Sequence, residues 1–473
     1  MIAKPLRAQQ GVVLLMIALA ILVGSTALIL SSFSNDGSLA GLARSNKHSL
    51  SEARDALLGY ALSYPENHTG ASNAPPGFLP CPDVDGDGLE DVDQCDDPDE
   101  NSIGFLPWRT LGLAKPGASS GTTNCLWYAV SAGFKSPADT AGPPILNSSS
   151  NGRFQIENVR GDLIVGASAA DRAIAIVFDP GQVLTIDGPT PSANDYLQNR
   201  LAVSTRTACG AQNTNDQINQ AINYLDRLNG ITNAHGTKLG AGGSSPGATP
   251  LPSDGVSVFV TASQQQANYG PSYNDQLTWI GRATFEAVFD RMNSWTVSKV
   301  QNCVARYGEL NVVGSKRYPW AASLDSSADP QYEEQNGQRF GRIPSVLNSP
   351  GTSSWPPDPD PASSSDCFSW PWWPAWQEGV FYAVHEQHTD PVGAGSTVLE
   401  LDGAASEFVV LLANEELSGQ TREGYTNKGR VQNYLEGQNQ PATGSATIPP
   451  GDEAFVRGNG SSVNDVACND NGC

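Results

Sequence analysis

Hydrophobic and polar positions divide this chain into a long apolar beginning and a head of short, punctuated elements. Lys4 and Arg7 are the only charges before Asp36, and an apolar run of 19 residues extends from Val12 to Leu30. At about 1.5 Å per residue, such a run as a helix spans a hydrocarbon core of about 30 Å. Its basic flank predicts a cytoplasmic start, with everything after Ser31 outside. Beyond it Leu39, Leu42, Leu50, Ala53, Leu57, Tyr60 and Ala61 recur every three or four residues, which predicts a helix to Leu62 that Pro65 ends. Val12 to Leu62 as one helix would be about 75 Å long, with Asn35, Asp36 and Gly37 as the place for a kink or break. A second amphipathic helix is predicted over Leu277 to Tyr307, its apolar side built from Leu277, Ile280, Phe285, Val288, Phe289, Met292, Trp295 and Cys303.

Between and after these helices one order of elements occurs twice. Phe105-Leu106-Pro107-Trp108, Cys125 to Val130, Ala173 to Phe178 and Asn194 to Leu197 follow the first helix. Arg317-Tyr318-Pro319-Trp320, Phe381 to Val384, Phe408 to Leu412 and Gln432 to Leu435 follow the second. The runs Ala173 to Phe178 and Phe408 to Leu412 are continuously apolar, as central strands covered on both faces are. The fold class expected is α+β: a long N-terminal transmembrane and amphipathic helix, then a head of two repeated helix-plus-antiparallel-sheet units. The layout is 1–11 leader, 12–62 long helix, 63–235 first unit, 236–255 Gly/Ser/Pro linker, 256–440 second unit and 441–473 polar tail. The stretch Trp370-Pro371-Trp372-Trp373-Pro374-Ala375-Trp376 reads three ways, as core, as a Pro-stiffened loop, or as an exposed aromatic patch that meets a partner.

Composition narrows the class. The net charge is −22, from 27 basic and 49 acidic residues, which excludes nucleic acid as a partner because phosphate neutralisation needs clustered Lys and Arg. With 48 Gly and 33 Pro the chain reads as a loop-rich, mostly β exported protein rather than a helical cytosolic enzyme. Its eight cysteines form no CxxC or zinc-type pair, which favours disulfides over metal. Cys81 with Cys95 and Cys468 with Cys473 are the plausible local pairs, and the other connectivities stay open.

The basic leader ending in Gly11, followed directly by Val12, resembles the class III signal of type IV prepilins. The resemblance implies cleavage by a prepilin peptidase between Gly11 and Val12. It further implies retention of the apolar segment, first as an inner-membrane anchor in the lipid bilayer and then as the filament-core helix. The partners it implies are other pilins or pseudopilins and the inner-membrane assembly platform, with the head in the periplasm or on a surface filament. Met16 stands where most pilins carry Glu at the fifth mature position. X-type minor pilins and K-type tip pseudopilins of type II secretion share that absence, which moves the resemblance toward a minor or tip subunit. The segments Ala53 to Leu62 and Leu79-Pro80-Cys81-Pro82-Asp83 look like those of large bacterial proteins with prepilin-type N-termini. The alternatives are a plain single-span anchor and a removable secretory signal. The length of the run and the lack of a clear Ala-x-Ala site count against the latter.

The best chemical motif is Asp83-Val84-Asp85-Gly86-Asp87-Gly88-Leu89-Glu90-Asp91. Alternate carboxylates before a Gly-permitted turn can converge on one hard cation, as in the loop of an EF-hand. Asp83, Asp85 and Asp87 fit the first ligand positions, and Asp91 or Asp93 would have to replace the Glu that Gln94 lacks. Ten carboxylates between Asp83 and Glu100 repel one another unless a cation screens them, so structural Ca2+ is set against a merely solvated acidic loop. His385-Glu386-Gln387-His388 has one residue too few for a zincin helix, and no Walker loop or GxSxG elbow occurs. The expectation is therefore a non-catalytic minor pilin or pseudopilin of a type IV pilus or type II secretion system. A filament-tip adhesin is the second reading, and a membrane-anchored periplasmic enzyme the third.

Overall fold

The computed structural model describes residues 48–68, 74–95, 100–114, 125–136, 146–181, 221, 224–228, 231–238, 256–261, 273, 275–324, 332–348, 354–361, 363, 365–393, 398–422, 425–440, 454–458 and 464–473. Two four-stranded antiparallel sheets organise them. The first joins Ser102–Phe105, Trp127–Val130, Ala175–Asp179 and Gln276–Ile280 in that order. The second joins Phe340–Arg342, Val380–Val384, Phe408–Leu412 and Val466–Asn469, again in chain order. Smaller sheets lie beside them: Phe154–Asn158 pairs antiparallel with Leu163–Val165 and parallel with Ser257–Thr261.

Strand alternation decides where each side chain goes. In the first sheet Tyr128, Val130, Ala175, Val177 and Ile280 enter one cluster, while Trp127, Ala129, Ile176, Phe178 and Leu277 enter another on the opposite face. The second sheet divides likewise, with Tyr382, Val384, Phe408, Val410 and Leu412 on one side and Phe381, Ala383, Val409 and Leu411 on the other. Both sheets are covered on both faces, which is why their central strands are continuously apolar. The shared cluster is the centre of the molecule. Helix 48–62 feeds it Leu50, Ala53, Leu57, Tyr60 and Ala61. The helix Arg282–Leu310 adds Phe285, Val288, Phe289, Met292, Val300 and Val304. Each large side chain so buried contributes about 1.5–3 kcal/mol. Phe134, from the first half, packs edge-on against Phe285 and Phe289, at 5.7 and 6.3 Å, and Asn293 donates to Asn414 across 2.8 Å. One core therefore runs through both sheets.

Three expectations are corrected. The described chain is mostly β, in largely antiparallel sheets, and has no long apolar helix; this replaces the expected α+β architecture of a long N-terminal helix and helix-sheet repeats. Of that long helix only 48–62 is described; residues 12–47, with the Gly11–Val12 junction before them, lie outside the described residues. The helix expected from Leu277 starts at Arg282, because Gln276–Ile280 is the edge strand of the first sheet and Gly281 separates the two. Helical spacing of Leu277 and Ile280 misleads here: both are buried, but from opposite faces of a strand. Finally, among the described residues no helix is long and apolar enough to cross a membrane. This corrects the single-pass inner-membrane placement and the membrane-pilin description attached to it. The apolar run Val12 to Leu30 that suggested them lies outside the described residues.

Candidate functional site

The acidic loop hangs from the first sheet. Asp83 pairs with Phe105 through both backbone bonds, at 2.9 and 2.8 Å, a single bridge on the open side of the edge strand, and its carboxylate turns inward. That carboxylate is fully buried and accepts the backbone N–H groups of Gly86 and, at 2.7 Å, of Gly88. Both glycines have positive φ, +76° and +91°, where a side chain is strained. A Cβ on Gly88 would also lie 2.4 Å from the Trp108 indole that covers the turn. Asp91 closes the loop by accepting from Val84 N (2.6 Å) and Asp85 N (3.2 Å).

Carboxylate oxygens of Asp83, Asp85 and Asp91 lie within 4.8 Å of one another, the one such group of three among the described residues. Asp87 is not among them. It accepts the Leu89 N–H at 2.7 Å and faces Arg109 at 3.8 Å. Cys81 and Cys95 are bonded across the base of the loop, as Cys468 and Cys473 are at the other end of the chain. Glu90, absent from the sequence-based set, ties the loop to helix 48–62: it accepts from Tyr60 Oη (2.8 Å) and Cys81 N (3.1 Å), with His68 at 3.9 Å. Burial pushes the Asp83 carboxyl up to about 7, and Asp91 and Asp85 add to the push against the two glycine N–H donors. Asp91 is raised too, chiefly by burial. The three could hold one hard cation, and they disfavour sharing the space as three bare anions.

A pH dependence follows. Between the ordinary carboxyl range and about 7 the folded state holds a proton on Asp83 that the unfolded chain has lost, so stability contributed there is complete at low pH and lost as pH rises. His68, raised by its bond to Glu90, acts in the same direction, whereas His235, lowered by burial, acts in the opposite one. In a chelator the melting temperature is expected to be higher near pH 5 than near pH 8. If the loop holds calcium, adding the ion at pH 8 raises it and Asp83→Asn removes that rise; an equal response in wild type and variant would place calcium elsewhere.

The other motifs resolve differently. His385 Nδ1 accepts the Gln387 N–H at 3.2 Å, and His388 sits 3.7 Å from Glu407, so neither joins a ligand group. Trp370, Trp372, Trp373 and Trp376 are all buried, with Trp370 and Trp372 stacked at 4.8 Å, so the stretch is core and presents no exposed aromatic patch. The sequence reading missed two buried carboxylate networks. In one, Asp275 accepts from Asp226 N (2.7 Å) and from Asn233 Nδ2 (2.9 Å). In the other, Asp465 accepts from Glu436 N (3.1 Å) and from Asn439 Nδ2 (3.0 Å), and burial beside Glu436 raises its pKa. The signal available was the pair of tetrapeptides Asn223-Tyr224-Leu225-Asp226 and Asn433-Tyr434-Leu435-Glu436.

Comparison of the chain with protein-family models, with curated proteins and with solved structures gives no match.

Proposed function

We propose that this chain is a non-catalytic, exported pilin-like subunit, a minor pilin or pseudopilin that assembles with other such subunits into a filament. The observation that carries the reading is helix 48–62. It lies downstream of the leader-like Gly11-Val12 junction, and every third or fourth residue from Leu50 to Ala61 is seated in the core of a β-rich head. In the pilin reading such a helix joins the filament-core segment to the head. Disulfides Cys81–Cys95, Cys303–Cys367 and Cys468–Cys473, with Cys125 also bonded, suit an exported head. The acidic loop has a structural role in this reading, holding the turn against helix 48–62 through Glu90, with calcium as the fitting ion. The tip-adhesin alternative loses its main support with the burial of the tryptophans.

Processing tests the proposal. Co-produced with a prepilin peptidase, the chain is expected to lose its first eleven residues and begin at Val12, and Gly11→Ala is expected to stay whole. An N-terminus that the peptidase leaves unchanged, read by mass spectrometry, would sink the reading.

A further inference from the structure

On the helix Arg282–Leu310, Lys299 points under the Pro-rich segment 356–361 rather than to solvent. Its Nζ lies 2.8 Å from Oδ2 of Asp358 and 2.9 Å from Oδ2 of Asp360. The Lys299 side chain is 8 % exposed and that of Asp358 0 %, while Asp360 is 36 % exposed and reaches the same nitrogen from the solvent side. Asp358 is held at both oxygens: Trp370 Nε1–H donates to Oδ2 at 2.8 Å, and the backbone N–H of Asp360 donates to Oδ1 at 3.0 Å. The rings of Trp295 and Trp370 stand 5.5 and 5.9 Å from Nζ.

Nζ thus stands against one oxygen of each of two carboxylates. We propose that Lys299 and Asp358 join through an amide bond, formed by the folded chain itself. A proton passes from the ammonium to the Asp358 carboxylate, and the freed electron pair on Nζ attacks Cγ. Negative charge develops on Oδ1, where the Asp360 N–H already points. The Asp360 carboxylate takes the second proton from nitrogen and delivers it to Oδ2. The Cγ–Oδ2 bond breaks, and Oδ2 departs as water. The balance is one ammonium plus one carboxylate giving one amide and one water, with no oxidant or reductant. Prior alignment of the two partners replaces the activation that an amide otherwise requires. The water has an exit. A cleft of about 680 Å3, lined by Ser294, Ser298, Asn302 and Pro359 with the three reacting residues, opens beside the site. The bond is independent of the filament reading.

Peptide mapping of the full-length folded protein tests it. After reduction of the disulfides and digestion with trypsin, the peptides carrying Lys299 and Asp358 are expected as one branched species, lighter by one water (about 18 Da) than their sum. Cleavage after Lys299 is expected to be absent. Asp360→Ala, a change on the open side of the site, is expected to leave the fold and the Lys299–Asp358 pair intact and to yield the two peptides separately. Separate peptides from the wild-type protein, with trypsin cutting after Lys299, would overturn the proposal. A branched species undiminished in Asp360→Ala would overturn the role given to Asp360.

Discussion

Gly341→Ala is expected to destabilise the protein by more than about 3 kcal/mol, at the upper end of what overpacking costs. Gly341 lies in the strand Phe340–Arg342, opposite Tyr382, and the chain at Ala322 crosses directly over it. A Cβ there would stand 1.8 Å from the Ala322 carbonyl oxygen, which is backbone and cannot swing aside as a side chain would. That oxygen accepts the Arg342 N–H, and the Ala322 N–H donates to the Arg342 carbonyl, both at 3.0 Å. Making room for a methyl group breaks this pair where Ala322 and Arg342 are buried, and each buried orphan costs about 1–3 kcal/mol. Arg342 would move as well, although its guanidinium lies 3.8 Å over Phe381 and donates to the carbonyls of Glu378 and Lys428.

The first sheet supplies the comparison. Gly104, opposite Tyr128, is crossed at Asp83, but the nearest atoms to its Cβ stand at 2.8 Å, so Gly104→Ala is expected to cost about 1–2 kcal/mol. Gly59, in helix 48–62 with open space around it, should gain up to about 1 kcal/mol as alanine. Urea unfolding midpoints order the three. A Gly341→Ala protein within about 1 kcal/mol of wild type would show that the crossing is looser than described.

What the sequence reveals here is what is local. The carboxylates Asp83, Asp85 and Asp91 can be read because a turn permitted by Gly86 and Gly88 brings them together, and the two short-range disulfides because their cysteines lie only 14 and 5 residues apart. Asp87 shows where that reading stops. Its neighbour Arg109, 22 residues away, and the Leu89 N–H compete for it, and spacing alone cannot weigh such partners. The start of the helix Arg282–Leu310 is hidden for a similar reason. Leu277 and Ile280 are three apart, so they satisfy a helical period, and only Gly281 marks the change from strand to helix. Burial of the tryptophans and the meeting of Lys299 with Asp358 depend on a loop folding back onto a helix some 60 residues earlier. No pattern within either segment encodes that contact.

Loss of the Cys303–Cys367 disulfide, as Cys303→Ala with Cys367→Ala, is expected to cost about 4 kcal/mol in an Asp360→Ala background. The bond joins two fully buried residues across a separation of 64, and closing a loop of that length lowers the entropy of the unfolded chain by about that amount. It ties the helix Arg282–Leu310 to the base of the tryptophan-rich segment, one helical turn beyond Lys299. In the wild-type background the expected cost is smaller. An amide between Lys299 and Asp358 already closes most of the same loop and leaves the disulfide only the two flanks, 299–303 and 358–367. Because closure entropy grows with the logarithm of loop length, the saving is about 1.5 kcal/mol, large enough for a double-mutant cycle on unfolding free energies to resolve. Equal costs in the two backgrounds would mean that the disulfide closes the whole loop by itself, leaving Lys299 and Asp358 as an ion pair and no more. A cost well under about 2 kcal/mol in both would mean that packing of Trp355, Phe368 and Trp370 against the helix holds the segment in the unfolded ensemble too.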